Sequence, residues 1–217
     1  MTNRVLIPEL LDQLEHDDPA ALRSRADLIR INGILGNFRW LKKTLEVQGA
    51  ADGSAHVVEI GAGDGHFIKK FSAIHPKVNY TAIDLAPEPP NWPSNLKWRQ
   101  GDATDCLTEV GGDILIANLF LHHLTDTQLA KLGEGLRTYR AVICNEPARF
   151  RAFHFLGKGV QLIGVNYVTR FDMHASINAG FRHPELPTTL GLSSPRWDIK
   201  GFHSIFGVYR MLATLET

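Results

Sequence analysis

The chain has 217 residues, is 44% hydrophobic and carries no formal net charge with histidine neutral. That content builds one domain with a substantial core. The absence of a long basic run argues against a nucleic-acid partner. Cys106 and Cys144 lack neighbours at metal-ligand spacing, so neither a zinc site nor a disulfide framework is expected, and reduced thiols suit a cytoplasmic location. The apolar stretch near Met1 is too short for a signal peptide, and no run of about 18 apolar residues predicts a membrane-spanning helix.

The first fifty residues read as a helical cap. Leu6, Leu10, Leu11 and Leu14 recur at helical spacing before Asp17-Asp18-Pro19 breaks the chain. A second helix is predicted from Ala20 to Ile31, burying Leu22, Leu28 and Ile31, and a third from Ile34 to Val47. The pattern then changes to short apolar runs alternating with helices. Strands are predicted at 56–60, 78–83, 96–100, 113–118 and 141–145, with helices at 64–73 and 126–138. Such alternation predicts a parallel sheet covered on both faces. Arg149–Val168 reads as a further helix. Trp197–Phe202 and Ile205–Leu212, joined by a very short turn, read as an antiparallel pair.

The first strand runs into Glu59-Ile60-Gly61-Ala62-Gly63-Asp64-Gly65. Glycines there permit positive φ and close approach of a ligand to the backbone, at the start of a helix. The dinucleotide fingerprint would place its third glycine at His66, one position later than Gly65. Glu59 is a poor neighbour for a pyrophosphate and a good one for the ammonium of an amino acid. S-adenosylmethionine has such an ammonium and no phosphate, so it is the expected cofactor and a nicotinamide dehydrogenase is disfavoured. Asp84, with Leu85, follows the second strand where an acid reaches ribose hydroxyls. Asp102 and Ala103 follow the third strand and are expected around adenine. Asn118 and Leu119 end the fourth strand at the same edge of the sheet. Each acid could also serve as a helix cap or turn residue; their order along the strand ends favours a ligand.

Arg39 could fork onto a methionine carboxylate or be a surface arginine. A base for a protonated acceptor would come from His122, His123, His154 or His174, of which His123 and His174 are the preferred catalytic candidates. The alternatives are that His122 and His123 shape the loop after the fourth strand, that His174 lies in a segment beginning a helix capped by Asp172, and that His154 packs. Glu146 could line the acceptor site or belong to a helix start. No carboxylate cluster suggests a metal. The Phe150–Val168 stretch could form an apolar roof suited to an aromatic or lipid-like acceptor.

Glu59–Gly65, Ile83-Asp84, Gly101-Asp102-Ala103 and Asn118–Leu124, in this order, resemble the class I S-adenosylmethionine-dependent methyltransferases, and His122-His123-Leu124 is similar to the branch of quinone-biosynthesis enzymes. Asp18-Pro19 through Asn32, Gly36–Trp40, Val168–Asp172, Ser176-Ile177, Ala179–Arg182 and Glu185-Leu186 resemble small bacterial methyltransferases associated with type III polyketide synthase pathways. Many of those carry His then Asp after Thr-Arg, where this chain has Phe171 and Asp172. The resemblance implies a Rossmann-like α/β fold: a seven-stranded, mostly parallel sheet with an antiparallel C-terminal hairpin. It implies one domain, divided into a helical cap (1–50), a cofactor-binding core (55–146) and a substrate-side region (147–217). It also implies O-methylation of a phenolic or polyketide-derived small molecule. C-methylation of a quinone-type ring, carboxyl methylation and a non-enzymatic cofactor sensor or partner subunit remain as alternatives.

Overall fold

The computed structural model describes residues 3–15, 17–154, 164–193 and 195–216. Its centre is a seven-stranded sheet in the order β3-β2-β1-β4-β5-β7-β6. The strands are β1 (His56–Ile60), β2 (Asn79–Asp84), β3 (Lys97–Gln100), β4 (Ile114–Asn118), β5 (Ala141–Pro147), β6 (Trp197–His203) and β7 (Val208–Leu215). The first five are parallel; β7 runs antiparallel to both β5 and β6.

Side-chain alternation divides the core into two layers. Ile114, Ile116, Ala141 and Ile143 enter one cluster; Leu115, Ala117, Val142 and Cys144, their neighbours along β4 and β5, enter the other. The first layer is covered by α2 (Asn37–Val47) through Leu41 and Leu45, and by α3 (His66–Ile74) through Phe67, Ile68 and Phe71. The second is covered by α4 (Ala103–Val110) through Cys106 and Leu107, and by α5 (Asp126–Gly135) through Leu129 and Leu132. Each such side chain stabilises the fold by roughly 1.5–3 kcal/mol on burial. Central strands buried on both faces lose their alternation in sequence and read as continuous apolar runs. The strand order reverses between β1 and β4, which opens a crevice at their carboxyl ends.

Several predicted elements changed. The Leu6–Leu14 stretch is no helix: only Leu11–Gln13 makes a tight turn. Its backbone finds partners elsewhere, with the Val5 amide on the Asn178 carbonyl and the Leu10 and Leu11 amides on Asp172. The next helix, α1, spans Pro19–Ile34, capped by Asp18 with proline in its first turn. Its buried residues are Ala21, Ser24, Asp27 and Asn32, whereas Leu22 is 51% exposed. Polar docking explains the inversion. Asp27 accepts hydrogen bonds from the Asn166 amide and the Thr169 hydroxyl, whose oxygen also lies 3.0 Å from the Ser24 hydroxyl. Helix α4 was not expected, and neither was α7 (Glu185–Thr189). The stretch predicted as one helix from Arg149 to Val168 lies partly outside the described residues. A new helix, α6 (Tyr167–Ala179), starts near its end behind an Asn166 cap. Asp172 therefore sits inside α6 and does not cap it.

Candidate functional site

Three loop glycines adopt left-handed φ near +60°, at Gly61, Gly63 and Gly65. They are required for different reasons. A Cβ on Gly61 would fall 2.2 Å from the Phe120 ring, and one on Gly65 would fall 2.3 Å from Trp92. The first contact locks the loop after β1 against the loop after β4, across the crevice. Gly63 meets nothing within 4 Å. Its backbone faces open space, as a ligand cradle requires.

The strand-end acids surround this loop. Glu59 is only 4% exposed and accepts a hydrogen bond from the Tyr80 hydroxyl. Burial, then the nearby Asp84, push it up to about 8. Asp84 binds the Gly63 amide at 2.8 Å and the Ala86 amide at 2.9 Å, so it holds the loop while each oxygen keeps accepting capacity. Leu85 beside it is 72% exposed, and Ala103 is buried. Asp102 caps α4, accepting from the Thr104 amide at 2.7 Å, so its cap role is realised in the fold. Arg39 lies exposed on α2.

The fourth strand ends in strained backbone. Leu119 has φ +57°, an uncommon conformation for a leucine, and its amide is held by the Asn145 carbonyl at 2.7 Å. Asn118 joins a network that sequence reasoning missed. Asn145 donates to Asn118 at 3.2 Å, Asn37 donates to Asn32 at 3.0 Å, and Arg210 donates to Asn37 at 3.1 Å. Asn145 Oδ1 and Arg210 Nε are buried without a hydrogen-bond partner. No spacing rule unites residues from α1, α2, β4, β5 and β7.

Beyond Phe120, the chain makes a tight turn over Leu121–His123. Glu146, fully buried at the end of β5, organises it. Its Oε1 accepts from the Phe120 and Leu121 amides, and its Oε2 from the His122 amide. The same Oε2 binds His122 Nδ1 at 2.8 Å. His122 is 3% exposed, and its Nε2 points toward Glu9 Oε1 at 3.4 Å. Burial opposes a charge on this imidazole, but Glu146 and Glu9 outweigh it and push His122 up to about 9. Burial likewise opposes charge on Glu9, yet His122 and His123 hold its carboxyl below the usual range. His123, 30% exposed, stands 3.5 Å from Asp12, and that contact lowers Asp12.

Glu9 and Asp12 arrive on the N-terminal segment, which crosses the turn and α6 as a strap. Arg4 donates to the carbonyls of Ala179, His122 and Leu124 and pairs with Asp126 at 2.6 Å. Ser176 donates to Glu9, and Asp172 binds the Leu10 amide at 2.6 Å and the Leu11 amide at 3.1 Å. Burial raises Asp172 to about 6. Between strap, turn and α6 lies a cleft of about 250 Å³, lined by Leu6, Ile7, Glu9, His122, His123 and Ala175 among others.

The two preferred histidines separate here. His123 lines the cleft. His174 sits two residues from Asp172 on α6, on another face of the helix, and its Nδ1 lies 2.8 Å from His154 Nδ1 in a stacked pair. Sequence spacing missed Glu9 and Asp12 altogether, because nothing near them marks a contact with the turn after β4.

No protein-family model and no curated protein matches the chain. Solved structures do. The plantazolicin methyltransferase BpumL in complex with SAH superimposes with TM-score 0.70 at 13% identity, covering 95% of this chain and 94% of that one. The plantazolicin methyltransferase BamL, bound to a triazolic desmethylPZN analog and SAH, gives 0.73 at 9% identity over 93% of each chain. Human N-acetylserotonin methyltransferase in complex with SAM gives 0.51 at 18% identity, covering 95% of this chain and 61% of that one. The fold is that of the class I methyltransferases. At these identities the likeness speaks for the architecture, and the chemistry has to be argued from the residues.

Proposed function

We propose that the chain is an S-adenosylmethionine-dependent methyltransferase that O-methylates a small phenolic or polyketide-derived molecule. The observation that carries the cofactor half is the contrast among the loop glycines: Gly61 and Gly65 are packed shut, while Gly63 faces open space between Asp84 and the end of β1. Glu59 would meet the cofactor's ammonium, Asp84 the ribose hydroxyls, and Leu85 with Ala103 the adenine. Asp102, Asn118 and Leu119 would complete the rim. Arg39, exposed on α2, is kept as a candidate carboxylate contact for substitution. When bound, the cofactor supplies an electrophilic methyl group, and the protein's part is to align the acceptor with it. The structural neighbours bound to SAH or SAM support this reading.

On the acceptor side, Leu6, Ile7 and Ala175 offer apolar contact, and His123 offers an imidazole able to take a hydroxyl proton. His174, paired with His154, is not assigned that role. Among the described residues, no helix is long and apolar enough to cross a membrane. The test is incubation with labelled cofactor and a panel of phenols, quinone-type rings and carboxylates. Label in an ether-linked methyl on a phenol is the expected result. Label on ring carbon or carboxylate moves the assignment to C-methylation or carboxyl methylation. Cofactor binding with no transfer to any acceptor supports a sensor or partner subunit.

A further inference from the structure

We infer that Glu9, His122 and His123 form a site for a first-row divalent transition metal, of which Zn²⁺ is the reference ion. One ligand atom from each lies within 4.8 Å of the others, and an ion about 2.0–2.2 Å from each would draw them to within about 4.4 Å, a side-chain adjustment of a few tenths of an ångström or more. The central donor, His122 Nε2, is buried and lacks a hydrogen-bond partner. It faces the Glu9 carboxylate, at 3.4 Å, and a buried imidazole nitrogen held by so long a contact has room for a better partner. The opposite nitrogen, Nδ1, is held by Glu146 at 2.8 Å. That carboxylate is itself fixed by three backbone amides. A carboxylate–imidazole pair of this kind fixes the orientation of a ligating histidine and raises its basicity.

Two imidazoles and one carboxylate suit zinc, manganese or ferrous iron better than magnesium, which prefers oxygen donors. Three protein ligands leave a coordination position open toward the cleft. Ligation through Nε2 leaves Nδ1 to donate to Glu146. Glu9 and the two histidines are far apart in the chain, so no local spacing marks a metal site. The inference rests on these residues alone. When bound, the ion would supply Lewis acidity in place of the base role given to His123, a consequence that rests on the function proposed above.

The experiment is calorimetric titration of the metal-stripped full chain with Zn²⁺, with parallel titration by S-adenosylhomocysteine. The expected result is one ion per chain. Glu9→Gln and His123→Asn, both away from the fully buried core, should each weaken binding at least about tenfold. Glu146→Gln should weaken it by about 10–100-fold through the orientation of His122. Unchanged S-adenosylhomocysteine binding in Glu9→Gln and His123→Asn would show that they fold, and it reports on the cofactor reading separately. No saturable Zn²⁺ binding by the native chain, or binding that persists unchanged in both Glu9→Gln and His123→Asn, overturns the site.

Discussion

The two sides of the crevice are built by different means. The loop after β1 is positioned by apolar layers and by Gly61 and Gly65, on which a Cβ would overlap an aromatic ring. The cleft beside it is stitched together by charges and amides: Arg4 on three carbonyls, Asp172 on two strap amides, Glu146 on three amides and an imidazole. The first design makes a rigid cradle. The second makes a covering whose stability depends on individual polar contacts, because a buried carboxylate is strongly stabilising only while its partners are in place.

Glu146 tests that contrast most severely. Glu146→Ala strands the His122 imidazole and three amides, and should cost about 3–5 kcal/mol in chemical denaturation. A loss below about 1 kcal/mol would mean that the turn after β4 does not depend on this carboxylate. The glycines come next. Gly61→Ala combines left-handed strain with an overlap on Phe120 and should destabilise by about 2 kcal/mol or more. Gly63→Ala has only the strain, about 1 kcal/mol, and should lose S-adenosylhomocysteine affinity out of proportion to stability. Equal effects of the two on stability and affinity would erase the distinction between packed and ligand-facing glycines.

Acid–base behaviour sharpens the comparison further. Glu59 has a folded-state value raised to about 8 from an ordinary 4.5, by burial and then by Asp84. The folded chain therefore binds the extra proton, and the stability it contributes is fully present below about 4.5 and lost as pH rises through about 8. In the cofactor-free protein stability then falls with pH by about 1.4 kcal/mol per pH unit at most, a slope that Glu59→Gln should remove. Identical pH profiles for the two proteins would contradict the burial argument. The smallest effect belongs to the strap. Asp172→Asn keeps one acceptor for two amides and should cost about 1 kcal/mol, seen as faster proteolysis near Leu10 with S-adenosylhomocysteine affinity unchanged. Strap cleavage at the native rate would show that other contacts suffice.

The same contrast explains what could be read from the chain. The succession of strands along the chain and the glycine loop were legible because each rests on a few consecutive residues whose periodicity and turn chemistry are local. Val57 and Val58, adjacent in sequence, pack into opposite layers as a strand requires. The cleft between strap and turn was not legible, because its contacts join Glu9 to His122 and Leu10 to Asp172, residues more than a hundred positions apart. Leu6, Leu10, Leu11 and Leu14 carry helical spacing, yet tertiary hydrogen bonds claim their backbone. Helix α1 inverts the usual rule in the same way, burying Asp27 and exposing Leu22, because Asn166 and Thr169 offer that carboxylate three-dimensional partners that no local pattern reveals. Asp102 was legible as an acid in the right place, but its helix-capping bond could not be told from a ligand contact by sequence.

On the function proposed above, the Gly61–Gly65 loop and Glu59 bind a sulfonium amino acid. Calorimetric titration of the native chain and of Glu59→Gln with S-adenosylhomocysteine, with NAD as the competitor ligand, tests it directly. The expected result is saturable one-to-one binding of S-adenosylhomocysteine, accompanied near neutral pH by release of the Glu59 proton as the ammonium docks, and weakened at least about tenfold in Glu59→Gln, a loss of about 1.4 kcal/mol. Tight NAD binding with no S-adenosylhomocysteine binding, or equal S-adenosylhomocysteine affinity in the two proteins, would contradict it.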